Sequence, residues 1–163
     1  MTVNISATDI FTLTMISDIK HVSPVAEAIH AFCLFATHSE VCSHDIQLAV
    51  VEALNNVILH AYNSQEGKEI VVECQMNTSF IHIDIIDYGI PMSSLPVATL
   101  PAFDAEGGRG WWIINACVDE YYYRVVECIE RERLCKPSIN SESFETISVK
   151  SSKNILTLVK HFK

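Results

Sequence analysis

Apolar and polar positions alternate from Asp9 to Ile16, with Phe11, Leu13 and Met15 set between Ile10, Thr12, Thr14 and Ile16. A period of two predicts a strand, and its place ahead of the other elements suggests a sheet edge. The period then lengthens. Ser23 and Pro24 supply an N-cap and a first-turn proline, and Val25, Ala28, Ile29, Phe32, Cys33 and Ala36 recur at helical spacing, which predicts a helix over 24–37. A second helix is expected from Ser43 or His44 through Tyr62, stopping in the polar run Asn63-Ser64-Gln65-Glu66-Gly67. Two strands follow, over 69–76 and 80–88, joined by Asn77-Thr78-Ser79 as a hairpin. Pro91, Pro96 and Pro101 exclude regular structure from the next stretch. A third helix should start within Glu106-Gly107-Gly108-Arg109-Gly110 and run through Val118, ahead of strands over 121–129 and 154–162. The polar residues 130–153 between them read as an extended loop or a long protruding hairpin. This order predicts one α+β domain over 1–163, a two-layer sandwich with helices on one face of a mixed, mostly antiparallel sheet.

The second helix is apolar around most of its circumference, through Ile46, Ala49, Val50, Ala53, Leu54, Val57, Ile58 and Ala61, so it should be largely buried. The remaining arc holds Asp45, Glu52, Asn56 and Asn63. A carboxylate and an amide one turn apart among apolar neighbours need partners or water. A solvated stripe or an internal Glu52–Asn56 hydrogen bond would satisfy them, and so would a ligand.

In the strand beginning at Phe80, Ile81, Ile83 and Ile85 share one face, and the same register brings Asp87 onto it. An acid aimed at the core side from a strand end needs a donor, and Gly89 two residues on permits a close approach. Either turn amides before Gly89 or a flat ligand with an N–H donor, such as an adenine amino group, would serve. Gly107-Gly108-Arg109-Gly110 at a helix start can expose backbone N–H groups to phosphate oxygens, with Arg109 adding charge; a flexible turn is the alternative. No GxxxxGK[ST] pattern occurs. The pair Trp111-Trp112 reads as packing.

Charge narrows the choice. Eleven Lys and Arg against twenty Asp and Glu give a formal charge of -9, with no basic cluster fit for a run of phosphates, so nucleic acid is not expected as a direct partner. No apolar run approaches the roughly 20 residues of a membrane span, and the start lacks a signal-peptide pattern, so a cytoplasmic protein is expected. The six cysteines are scattered without a CxxC pair and read as buried reduced thiols. The histidines lack zinc spacing, which leaves magnesium as the metal to consider.

Glu52-Ala53-Leu54-Asn55-Asn56 with His60-Ala61-Tyr62, then Asp87-Tyr88-Gly89-Ile90-Pro91, then Gly107-Gly108-Arg109-Gly110-Trp111, resemble in order the N, G1 and G2 boxes of the GHKL ATPase superfamily. Their spacing is similar to that of the anti-sigma-factor serine kinase branch, and the likeness extends over nearly the whole chain. Pro91 stands where the fuller DxGxG motif has its second glycine. The resemblance implies ATP and Mg2+ as cofactors, with Glu52 as the base that orients or deprotonates the attacking hydroxyl and Asn56 as the magnesium ligand. It assigns Asp87 to the adenine amino group, Gly89 to the adjoining turn, and Gly108 and Gly110 to the phosphate-side lid. It further implies a STAS-domain antagonist as phosphoacceptor, a sigma factor or other regulator as the sequestered partner, and a homodimer using the first strand and helix. An ATP-responsive binding module without kinase activity and a scaffold that binds no nucleotide are the competing expectations.

Overall fold

A computed structural model describes residues 9–100, 102, 108–135 and 144–162, with Asp9, 128–135 and 144–150 described as backbone alone. Five strands, β1 (Asp9–Ile16), β2 (Glu69–Met76), β3 (Phe80–Asp87), β4 (Glu120–Cys135) and β5 (Phe144–His161), form one sheet in the order β1-β2-β3-β5-β4. The first strand is an edge, as its place ahead of the other elements suggested. All four pairings are antiparallel, so the parallel component allowed for in a mixed sheet is not among them.

Period two sorts the sheet into faces. Met15, Ile70, Val72, Cys74, Ile81, Ile83, Ile85, Leu156 and Leu158 join the buried cluster with residues of the helices α1 (Val22–Thr37), α2 (Glu40–Asn56) and α3 (Gly110–Cys117). Each such aliphatic side chain taken from water contributes about 1.5–3 kcal/mol. The cluster is therefore what holds helices to sheet.

Helix starts differ from the sequence expectation. A 3-10 turn, Ile19–His21, is capped by Asp18, whose Oδ1 accepts from Lys20 N at 3.0 Å. The following helix begins at Val22, which leaves Pro24 within the first turn, where its missing N–H costs nothing. Helix α2 begins at Glu40, with Ser39 as N-cap accepting from Cys42 N at 3.2 Å. Ser43, the expected start, is buried one turn inside, with its Oγ donating to Ser39 O at 2.8 Å. Four cysteines, Cys33, Cys42, Cys74 and Cys117, are free and buried, as expected of structural thiols; the side chains of Cys128 and Cys135 lie outside the described residues.

Lys160 projects from β5 onto the helical face, where Nζ donates to Asp45 Oδ2 at 3.0 Å and to Cys117 O at 2.8 Å. One ammonium thus joins α2, the C-terminus of α3 and the sheet, in the position where the helix dipole favours a cation. Residues 130–153, read as a loop or long hairpin, continue β4 and β5 as a hairpin, whose tip 136–143 lies outside the described residues. Among the described residues, no helix is long and apolar enough to cross a membrane.

Candidate functional site

The α-helical path of α2 ends at Asn56 and gives way to a π-helical turn, Val57–Ala61. Widening the turn redirects the chain before Tyr62, and Asn63 and Ser64 complete the exit at positive φ of 48° and 60°. Two consequences fix the site. Ala61 O is presented to the strand β3 exit, where it accepts from Ile90 N at 2.8 Å. The Tyr62 hydroxyl, buried on the other side, donates to Glu69 O at 2.5 Å and accepts from Tyr88 N at 2.9 Å. The close approach of the two backbones demands Gly89, since a Cβ there would lie 2.3 Å from Ala61 O.

Beside this junction lies a cavity of about 990 Å³ lined by Glu52, Asn56, Asp87, Gly108, Arg109 and Gly110, six of the seven residues singled out from sequence. Gly89 stands behind the wall instead, supporting Ala61. Gly107 lies outside the described residues. Asn63, grouped with Glu52 on the sequence helix, is carried out of line by the π turn and is exposed.

At one end of the cavity, Glu52 and Asn56 face the start of α3. A Cβ on Gly110 would come within 2.9 Å of Glu52 Oε2 and 3.5 Å of Asn56 Oδ1, so glycine lets the helix start close over both groups. Gly108 takes φ 84°, the left-handed region glycine tolerates. Neither an internal Glu52–Asn56 hydrogen bond nor another protein partner for Glu52 occurs among the described residues. Asn56 Nδ2 and the neighbouring Asn55 Oδ1 are buried without partners. Polar groups left unpaired in this way cost about 1–3 kcal/mol each, which marks the spot as prepared for something polar. The amide oxygen of Asn56 fits a magnesium ion that arrives with phosphates, since that ion takes few protein ligands, all oxygen, while the N-terminus of α3 suits the phosphates.

At the other end, Asp87 is only 4% exposed. Its Oδ1 accepts from Asn154 Nδ2 at 2.7 Å and from Gly89 N at 2.9 Å. The turn-amide reading of Asp87 is thus realised, yet it uses only Oδ1; Oδ2 has no partner among the described residues. Burial pushes the carboxyl above its ordinary value, opposed by the Asn154 and Gly89 donors. Asn154, 1% exposed, also donates to Gly89 O at 3.1 Å, so its two amide hydrogens clamp the carboxylate and the turn together. Sequence reasoning missed Asn154. Its signal was a polar residue starting an apolar strand, but only the register Asp87↔Asn154 gives it meaning.

Tyr123, also on the cavity wall, accepts from Met92 N at 3.0 Å and ties the proline-containing segment to β4. Burial raises its phenol, with Asp87 contributing. Trp111 lines the cavity and packs against Tyr121 at 5.9 Å between ring centroids, while Trp112 stays 39% exposed.

A two-layer sandwich with this cavity between α2, α3 and the β3 exit defines a class. Residues 15–130 match the family described as Histidine kinase-like ATPase domain, and the chain belongs to that family. It is similar to the anti-sigma F factor of Clostridium perfringens strain 13, at 30% identity over 80 residues, 46% of this chain and 57% of the relative. The anti-sigma F factors of Clostridium beijerinckii and Geobacillus thermodenitrificans match at 28% and 25% identity over 81 residues, 47% of this chain and 57% and 56% of theirs. The chain thus spans a little over half the length of these curated relatives. The family is one of ATPase domains, so membership implies an ATP site.

Proposed function

We propose that the chain is an anti-sigma-type regulator and serine/threonine protein kinase that binds Mg-ATP in this cavity. Its phosphoacceptor would be a STAS-domain antagonist, and its sequestered partner a sigma factor or similar regulator, in the cytoplasm and as a homodimer. The observation that carries the reading is the pair of Glu52 and Asn56, with Glu52 and Asn56 Nδ2 lacking partners among the described residues and Gly110 closing over them, in one cavity with the clamped Asp87. The names of the relatives support the regulatory half.

In this mechanism Asp87 Oδ2 accepts from the adenine amino group. The first N–H groups of α3, with Arg109, bind phosphate oxygens. Asn56 would hold magnesium, which would supply positive charge to offset that of the phosphates. Glu52 orients the incoming hydroxyl and takes its proton as the oxygen bonds to the γ-phosphorus and the bond to ADP breaks. A phosphate added to the antagonist introduces charge that weakens its complex.

The test is transfer of labelled phosphate from ATP to a STAS-domain protein. Glu52→Gln should lower transfer by about 10²–10⁴-fold while Mg-ATP titration heat persists. Equal transfer by variant and wild type would remove Glu52 from the role. The cavity wall carries Arg109 and, among the described residues, no lysine, which favours the second reading, an ATP-responsive binding module. That reading predicts Mg-ATP binding with no transfer to any STAS protein.

A further inference from the structure

The sheet ends at Asp87↔Asn154, where β3 leaves β5. The last two strands continue past it as a two-stranded ribbon, paired from Val126↔Lys153 to Cys135↔Phe144. At about 3.4 Å per residue it extends roughly 30 Å beyond the body, from the end where the cavity lies. An isolated two-stranded ribbon is marginal in water, so a partner surface would stabilise it.

The register separates its charges. Successive strand residues belong to opposite faces, so Glu130-Arg131-Glu132-Arg133 divides by sign. Arg131 and Arg133 share a face with Ile129 and, across the register, with Lys150, Ser148 and Thr146. This face is continuous with Tyr123 and Asn154, the side of the sheet that bears the helices and the cavity. Glu130 and Glu132 share the other face with Glu145, Ile147 and Val149. The same face holds one acid, Glu127, which has an interaction within the chain, so the face gathers three bases against one acid.

On a chain of formal charge -9, a face that gathers three of eleven basic residues is an exception. We infer that the ribbon face with Arg131, Arg133 and Lys150 docks an acidic segment of a partner protein, on the same side as the cavity. Nucleic acid is a poorer occupant. Three cations neutralise few phosphates, and the acids of the opposite face lie within a Debye length, about 8 Å, of any polyanion that overhangs the ribbon. A short acidic segment meets one face only. The inference stands on the ribbon alone and survives whether or not the cavity transfers phosphate.

Fluorescence anisotropy of the full chain with a labelled peptide of alternating Glu and Val tests it, beside an RNA oligonucleotide of equal length. Wild type should bind the peptide, with slowed amide exchange across 129–133, and Arg131→Glu/Arg133→Glu should weaken binding about tenfold or more. Glu130→Lys/Glu132→Lys, with as many substitutions on the opposite face, should bind at least as tightly as wild type and so controls for ribbon integrity. No peptide binding by wild type, equal loss in both double variants, an unchanged Arg131→Glu/Arg133→Glu affinity, or tighter binding of RNA would each overturn the inference.

Discussion

Asp87→Asn isolates a single atom. The asparagine has the shape of the carboxylate, and its carbonyl oxygen can keep the bonds that Oδ1 makes with Asn154 at 2.7 Å and Gly89 N at 2.9 Å. What changes is Oδ2, an acceptor that becomes an NH2 donor. If a bound base presents its amino group there, a hydrogen bond to a charged acceptor, about 1.5–3 kcal/mol, is replaced by two facing donors. Mg-ATP affinity should fall roughly ten- to hundredfold by titration calorimetry. Stability should move the other way. Burial holds the folded carboxyl above its unfolded value of 3.8, so folding favours the protonated form. Wild-type stability therefore declines as pH rises from that value through the folded one, and the asparagine variant escapes the decline. Its melting temperature relative to wild type should rise from acid to neutral pH. An affinity for Mg-ATP within about twofold of wild type would refute the assignment of Oδ2 to the base. A variant several degrees less stable at neutral pH would show that the charge serves the fold.

Gly89→Ala drives a Cβ to 2.3 Å from a backbone oxygen that cannot yield, so scanning calorimetry should show melting lowered by roughly 5 °C or more. Gly110→Ala meets instead the mobile end of Glu52 at 2.9 Å; the fold should persist with little change in melting, while phosphotransfer falls about tenfold or more from the displaced carboxylate. Burial pushes the Cys74 thiol up to about 12 and Cys33 higher still, so both stay protonated in mildly alkaline solution. Mass spectrometry after iodoacetamide should find them unmodified in the folded protein and labelled in denaturant.

The strands and the face of Asp87 were legible because period two survives at single-residue precision. Helix starts were less so. Ser39 and Ser43 are both plausible caps, and the choice depends on Thr37, whose Oγ1 accepts from Ser39 N at 3.1 Å and sets the bend between α1 and α2. The π turn has no composition of its own; a wheel at a constant angle carries Asn63 onto the Glu52 stripe, whereas the widened turn removes it. Asn154 is 67 residues from Asp87, and its role needs a strand register that the sequence does not state. Gly110 was read as exposing amides, and its larger constraint, the space taken by Glu52, belongs to the packing of α2 on α3.

The Lys160 tether gives α3 two unlike ends. Its rear carbonyl is pinned through Lys160 to Asp45, while its front is a pair of glycines around Arg109. A helix of eight residues is about 12 Å long, so that short span joins the end held by Lys160 to the end that lines the cavity at Gly110. The cavity wall at Gly110 and the Cys117 carbonyl bound by the Lys160–Asp45 ion pair thus belong to one short element, which places the charge of β5 in line with the mouth of the cavity.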